Sequence, residues 1–381
     1  VYNPVFQVPR LLTNCNFQQF NNLTTSCVIL LSLHYNSTMN KIKNTLFSNT
    51  PVTFDENSYI MAIESSCDET ACAIVQGGRK VISNVVASQI KTHEKFGGVI
   101  PEIAAREHLE AINVVIDQAF KEANLTPDDI SAFAGTVGPG LVGCLLVGLN
   151  ATKTLALVHD KPFIGVNHLN AHVSANFIDT DLKPPFIALL VSGGHTQLID
   201  VKSYSELEII GETIDDAVGE AYDKVARLIG LPYPGGPRLD KLAQEGNPHA
   251  FKLPEAKVGE FDFSFSGLKT ATSRLVKSFN GQELPTADIC ASFQECVSTT
   301  LIKKVKKALE YRNYNQVVIA GGVAANSEIR RKIFELEKEG YRVNAPIMKY
   351  CTDNASMVAS SAYFFDNTFD DVDVEVFSRV K

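Results

Sequence analysis

Two stretches decide the fold: YIMAIESSCDETACAIVQ (59–76) and FIALLVSGGHTQLIDV (186–201). Each begins with an apolar run, Tyr59 to Glu64 and Phe186 to Val191, of strand length and short for a helix. Each run stops in a polar turn, Ser65-Ser66-Cys67-Asp68 in the first and Ser192-Gly193-Gly194-His195 in the second. A second strand-like run follows at once, Ala71 to Gln76 and Thr196 to Val201, so both stretches read as strand–turn–strand openings.

Reading outward, Lys80 to Ser88 continues the first opening as a third strand, and Ile100 to Ala123 carries apolar residues at helical spacing. Ile130 to Val137 returns to strand, and Leu141 to Val158 reads as an apolar, small-residue helix buried on most sides. After the second opening come a strand, Gln316 to Ala320, and a helix, Asn326 to Glu339. The alternation predicts an α/β fold. Its repetition predicts two related lobes facing a cleft, with ligands where the strand-end loops converge. The expected divisions are a leader at 1–57, lobes at 58–185 and 186–365 meeting near the Lys183-Pro184-Pro185 turn, and a tail at 366–381.

The 381 residues, 45% hydrophobic and 20% charged, can build more than one packed domain. No apolar stretch approaches the roughly 18 residues that a membrane span needs. Eight cysteines without a CxxC pair fit a reducing cytoplasm better than a disulfide framework. The net charge of −8 argues against broad, nonspecific nucleic-acid binding, so any RNA must meet a local patch. Lys303, Lys304, Lys306 and Lys307 on one predicted helix, and Arg330, Arg331 and Lys332 on another, are candidates that read equally as solvated faces. The first 54 residues contain no acid. They are expected to be disordered or untranslated, with a mitochondrial transit peptide as the alternative.

His168 and His172 in HLNAH are four apart, which puts both imidazoles on one helix face, and Asn167 before them suits an N-cap. The positions between are Leu169, Asn170 and Ala171, so the HExxH glutamate of zinc proteases is absent. A third ligand must come from elsewhere, and Asp353 in the polar turn CTDNA is the best candidate; such a set suits iron, zinc or manganese. Gly138-Pro139-Gly140-Leu141-Val142-Gly143 matches GxGxxG, yet no acid ends the next strand, and a structural turn is the better reading. The pairs Gly193-Gly194, Gly235-Gly236 and Gly321-Gly322 together suggest loops that let a backbone approach a nucleotide. Asp68 and Glu69 are read in the first strand-end loop, and Asp216, Glu220 and Asp223 on one helix face; Glu69 and Asp223 are the better placed for ligand or metal.

ESSCDETACAIV (64–75), GGVIPEIAAREH (97–108), GPGLVGCLLVG (138–148), HLNAH (168–172), LLVSGGHTQL (189–198), IDDAVGEAYDKVARLIGLPYPGGP (214–237), FDFSFSGLKT (261–270), AGGVAAN (320–326) and CTDNA (351–355) occur in order. Together they resemble the bacterial and organellar tRNA threonylcarbamoyltransferase family over about residues 59–365. The resemblance implies the two-lobed fold of the actin, sugar-kinase and Hsp70 superfamily, with duplicated RNase H-like domains. It implies transfer of threonylcarbamoyl from threonylcarbamoyl-AMP to N6 of adenosine 37 in tRNAs reading codons that begin with A. It implies one divalent metal on His168, His172 and Asp353, iron first and zinc as the alternative. The adenylate would be bound by Leu190, Val191, Ser192, Gly193, Gly194, Asp223, Gly236 and Asn326. Partners would be a degenerate paralogue and a small ATPase, or a second copy in an organellar member. Glu69 and Asp68 are the hypothetical general bases. A small-molecule kinase on the same fold, a metallopeptidase and a noncatalytic tRNA-binding scaffold are the competing functions.

Overall fold

The computed structural model describes residues 53–371 and 373–379. The leader expected at 1–57 lies outside them except for its last five residues, of which Phe54 stacks on Tyr363 with ring centroids 5.8 Å apart.

The first sheet contains β1 (Tyr59–Glu64), β2 (Glu69–Gln76), β3 (Lys80–Ser88), β4 (Ala132–Gly138) and β5 (Phe163–Asn167), in the order β3-β2-β1-β4-β5. The second contains β6 (Phe186–Val191), β7 (Thr196–Ser203), β8 (Glu206–Glu212), β9 (Gln316–Ala320) and β10 (Arg342–Asn344), in the order β8-β7-β6-β9-β10. In both, the first three strands form an antiparallel meander and the last two join parallel to the opening strand. The two openings therefore head two copies of one topology. β2 begins at Glu69, two residues earlier than Ala71, so Glu69 belongs to a strand and only Asp68 to the turn.

Helices fill both faces. On the outer face of the first sheet lie α2 (Pro101–Ala123) and α3 (Val142–Val158), after a short α1 (Ile90–Glu94). The outer face of the second sheet packs Ile187, Leu189, Val191 and Ile319 against α5 (Val218–Leu228), α6 (Gly235–Ala243), α8 (Thr286–Arg312) and α9 (Ser327–Glu335), with α7 (Ser266–Ser278) beside them. Coverage on both faces explains why β1 and β6 carry near-continuous apolar runs rather than alternating ones. α3 is less enclosed than its composition suggests: Val142, Leu146 and Val158 are 45%, 43% and 70% exposed.

Between the sheets lie α4 (His168–Ser174), which follows β5, and α10 (Ala355–Phe364), which follows β10. Leu169 and Val173 of α4 pack on Phe186, Ala188 and Leu190 of the second sheet. Ala355, Met357, Val358, Ala359 and Ala362 of α10 pack on Ile60, Ala62 and Ala73 of the first. The span 186–365 thus returns its last helix to the first sheet, a crossing that periodicity does not reveal. At the base of the cleft, Arg79 on the β2–β3 turn donates to the carbonyls of Thr180 and Leu182 at 2.7 and 2.9 Å and lies over the Phe364 ring.

Two polar features test the fold. Asp200 on β7 is fully buried, and Arg312 Nε at the end of α8 lies 2.8 Å from its Oδ2. Arg312→Ala removes the cation from that carboxylate, leaving it the Tyr314 hydroxyl, and should cost up to about 3–5 kcal/mol in urea unfolding. The tail covers the open edge of β5, where Gly165 N–H donates to Asp370 at 2.7 Å and Phe377 N–H to the Val137 carbonyl at 3.0 Å. Burial pushes Asp366, which accepts from Ser361 Oγ and Asn170 Nδ2, up to about 6 from 3.8. Between those values the folded chain holds a proton that the unfolded chain has released, so this contribution to stability is present at low pH and lost as pH rises through 6. Asp366→Asn should therefore raise Tm at pH 7.5, by the equivalent of at most about 3 kcal/mol, and raise it less at pH 4.5.

Candidate metal centre and cleft

The carboxyl ends of the parallel strands from both sheets open into one cleft, where ligands of such folds bind. Asn167 caps α4, its side chain accepting from the Leu169 and Asn170 N–H groups at 2.9 and 3.4 Å. Asn354 caps α10 in the same way, accepting from Met357 N–H. Such caps stabilise a helix start by about 1 kcal/mol, and here they also set the direction of the side chains beside them.

His168 and His172 lie one turn apart on α4, their rings edge to face with centroids 4.6 Å apart. Asp353, the residue before the α10 cap, faces both: its Oδ1 is 3.2 Å from His172 Nε2 and 3.7 Å from His168 Nε2. Among the described residues, ligand atoms of these three side chains all fall within 4.8 Å of one another. His172 is buried, and its Nδ1 has no hydrogen-bond partner, so only Nε2 addresses the cleft. The two nitrogens and one carboxylate oxygen converge from two elements and fit a divalent ion of the iron, zinc or manganese kind.

Behind His168 stands a residue that sequence reasoning missed. Glu64, the last residue of β1, is fully buried, and its Oε2 lies 3.2 Å from His168 Nδ1. The same carboxylate accepts from Thr136 Oγ1 at 2.6 Å and from Ser66 N–H at 2.5 Å. Burial opposes its charge, but the neighbouring imidazole outweighs burial and holds Glu64 below its ordinary range. Burial likewise opposes a charged His168, yet Glu64 and Asp353 push it up to about 9. Against the same burial, the two imidazoles draw Asp353 down to about 2. Two carboxylates around two imidazoles make a pocket that calls for positive charge. The signal for Glu64 was an acid closing an otherwise apolar strand.

Asp68 and Glu69 face this cluster from the first lobe. Burial, then the charges of Asp353 and Asp68, push Glu69 up to about 9, and its carboxyl hydrogen-bonds to Asp68 and to Ser88 Oγ, the latter at 3.1 Å. His195 faces it from the second lobe: burial, with the charges of His168 and His172, draws its imidazole down to about 4. Asp223 lies in the same cleft, and Tyr233 carries the influence of both Asp68 and Asp223.

The other sequence candidates divide. Leu190 and Val191 are fully buried in the cores on opposite faces of β6, so a ligand can meet only their main chain. Ser192 turns tightly, its Oγ accepting from His195 N–H at 3.0 Å, and Gly193 and Gly194 stand open to the cleft. Gly321, with φ of +89°, lets β9 end against the Val191 carbonyl, where a Cβ would sit 2.4 Å away. Asp223 Oδ1 accepts from both Gly235 and Gly236 N–H, at 2.9 and 3.0 Å, leaving Oδ2 for a ligand. Asn326 caps α9, accepting from Ile329 N–H and donating to Gln294 Oε1, so little of its side chain remains.

Asp216, Glu220 and Asp223 do not share a helix face: α5 starts at Val218, and Asp216 precedes it, paired with Lys224 and Lys269. Glu220 also pairs with Lys224, and Asp215 holds the Ser264–Ser266 turn. The basic candidates are likewise engaged. Lys303, Lys306 and Lys307 meet Glu255, Glu339 and Glu260, while Arg331 meets Glu328 and Glu335. Lys332 meets Glu295, and Lys304 and Arg330 donate to main-chain carbonyls.

The fold is similar to that of full-length HypF in its phosphate- and nucleotide-bound form, with a TM-score of 0.56 at 15% identity over 84% of this chain and 48% of that one. HypF of T. kodakarensis aligns with the same TM-score at 14% identity, over 83% of this chain and 48% of that one. Fold and cleft together define a two-lobed protein of the actin and sugar-kinase superfamily with an imidazole–carboxylate centre between its lobes. The chain belongs to the tRNA N6-adenosine threonylcarbamoyltransferase family, whose model matches residues 80–360, and it is a transferase. A relative of that name from Clostridium botulinum (strain 657 / Type Ba4) is 53% identical over 315 residues, 81% of this chain and 93% of the relative. One from Clostridium perfringens (strain SM101 / Type A) is 54% identical over 311 residues, 80% and 92% of the two chains. Among the described residues, no helix is long and apolar enough to cross a membrane.

A carboxylate behind a ligating histidine fixes its tautomer and raises its basicity. Glu64→Gln should therefore weaken zinc binding about 10–100-fold. Competition with a chromophoric chelator measures this, with the folded fraction checked by circular dichroism.

Proposed function

We propose that the chain forms threonylcarbamoyladenosine in tRNA. It transfers threonylcarbamoyl from threonylcarbamoyl-AMP to N6 of adenosine 37 in tRNAs reading codons that begin with A, and releases AMP. The reading is carried by the convergence of His168, His172 and Asp353 at the cleft of a chain of this family. Those three residues would hold one divalent ion, iron or in its place zinc, which when bound supplies Lewis-acid stabilisation of negative charge. Ser192, Gly193, Gly194, Asp223 and Gly236 would seat the adenylate, with Leu190, Val191 and Asn326 contributing main-chain or residual polar contacts.

The donor is a mixed carbamic–phosphoric anhydride and already activated. The N6 amine forms a bond to the carbamoyl carbon, the carbon–oxygen bond to phosphate breaks, and AMP leaves with the electron pair. Orientation and charge stabilisation supply most of what the reaction needs. The adenine amine is a poor base and loses its proton as the new bond forms. Asp68 and Glu69 would receive it as a hydrogen-bonded pair, in which Glu69, pushed up to about 9, already carries a proton and Asp68 is the group left to accept. A phosphoryl-transfer function has no use for two histidines in this position. A zinc peptidase would need a glutamate between them, where this chain has Leu169 packed into the core.

The partner reading keeps two arrangements, a degenerate paralogue with a small ATPase or a second copy of this chain. The compartment follows the same division, cytoplasmic in the first and mitochondrial in the second. Transfer of labelled threonine to unmodified tRNA, with purified chain and the adenylate-forming enzyme, tests both function and arrangement. Product without added partners is expected for the self-sufficient type and product only with them for the complex. Absence of product from metal-loaded protein in both mixtures would refute the function. In the same assay Asp68→Asn should lower turnover about 100-fold, within the range for lost general-base catalysis.

A further inference from the structure

The turn that carries Asp68 is held from behind by side chains that never reach the cleft. His108 on α2 is fully buried, and its Nε2 lies 3.0 Å from the carbonyl oxygen of Cys67. A carbonyl accepts only, so Nε2 carries the proton, and Nδ1 is left to accept from Thr70 Oγ1 at 2.7 Å. One imidazole thereby grips the chain on both sides of Asp68 and Glu69. A second grip comes from Gln89, whose N–H donates to the Asp68 carbonyl at 3.0 Å. Gln89 is itself fixed, its Nε2 donating to the Ala104 carbonyl at 3.3 Å and its Oε1 lying 3.0 Å from His93 Nε2.

Thr70, Gln89, His93 and His108 are each at most 4% exposed. Packing alone would be served as well by apolar side chains, since a buried polar network is at best a small net gain in stability. What the polar network adds is direction, because each bond sets the orientation of one peptide or hydroxyl. The bonds converge on Cys67 to Thr70, the segment that presents the Asp68–Glu69 carboxyl pair to Asp353 and the two histidines.

We propose that His108 is a positioning residue for transfer: by binding the Cys67 carbonyl and the Thr70 hydroxyl together, it holds Asp68 and Glu69 in register with the His168–His172–Asp353 cluster. The inference rests on the reading of Asp68 and Glu69 as the proton-accepting pair. His108 touches neither substrate nor metal ligand; it acts through the turn. Displacing a reacting group by about 1 Å can cost about a hundredfold in rate, which sets the size of the expected effect.

The experiment compares His108→Leu, which removes both bonds, with His108→Gln, whose amide can still donate to the Cys67 carbonyl, and with Asp68→Asn and Glu69→Gln. All are assayed with full-length chain and whatever partners transfer requires, at a temperature well below each variant's Tm. The expected result is a kcat lower by about 10–100-fold in His108→Leu, with KM for tRNA within about twofold and bound metal unchanged. His108→Gln should recover most of the rate. If the carboxyl variants lose rate while His108→Leu keeps kcat within about twofold, the positioning role is wrong and the proton-acceptor reading stands. A loss in His108→Leu that lies in KM or in metal content, or that His108→Gln does not relieve, also overturns the positioning role. If neither carboxyl variant loses rate, the proton-acceptor reading fails, and this inference fails with it.

Discussion

The cleft is organised around one buried carboxylate. Glu64 closes β1 at the point where the central strand of the first sheet meets the gap between the lobes, and it is fully shielded from water. A buried carboxylate is tolerated only when its oxygens are engaged, and here a peptide N–H, the Thr136 hydroxyl and the His168 imidazole engage them. Each bond also positions its donor. The Ser66 bond shapes the turn after β1, the Thr136 bond ties β4 to β1, and the His168 bond aims Nε2 of that ring at Asp353. Replacing Glu64 by an apolar residue of similar size would keep much of the packing and lose all three orientations.

Placement of Asp353 beside the two histidines follows from a different constraint, the exchange of helices between lobes. α4 leaves the first sheet and packs Leu169 and Val173 on the second, while α10 leaves the second sheet and packs Ala359 and Ala362 on the first. The helices lie side by side, each capped by an asparagine, and their N-terminal ends meet at the cleft. Residues nearly two hundred positions apart become neighbours because each helix must bury its apolar side against the other lobe's sheet. Duplication of the five-stranded unit supplies the two equivalent exits that make this exchange geometrically simple.

The electrostatics of the cleft separate into two zones. Around His168 and His172, opposite charges stabilise one another, so the imidazole of His168 is held up and the carboxyls of Asp353 and Glu64 are held down. Around Asp68 and Glu69, burial and like charge dominate, and Glu69 is driven up. An activated acyl donor with a phosphate leaving group needs positive charge on one side and a proton acceptor on the other. The His168–His172–Asp353 cluster and the Asp68–Glu69 pair would be the groups that supply them, while Lys303, Lys306 and Lys307 are paired with glutamates.

Much of the fold is legible in the chain because local physics decides it. The apolar runs at 59–64 and 186–191, the glycine and serine turns after them and the i,i+4 spacing of His168 and His172 are short-range features, and they specify strands, turns and a helix face directly. Glu69 falls on β2 and not in the turn before it because a strand's first residue and a turn's last differ only in their partner, here Ser88 on the neighbouring strand. The face expected for Asp216, Glu220 and Asp223 failed because Lys224 and Lys269 hold Asp216 ahead of the helix. The acid that closes β1 signals Glu64 without naming the imidazole it meets, and His108 in an amphipathic helix gives no sign of its bond to the Cys67 carbonyl. By itself, then, the sequence determined the repeated α/β units, the histidine pair and the family. Only the tertiary structure decided that α10 crosses back to the first sheet and that Glu64 lies behind His168, because both depend on burial between segments distant along the chain.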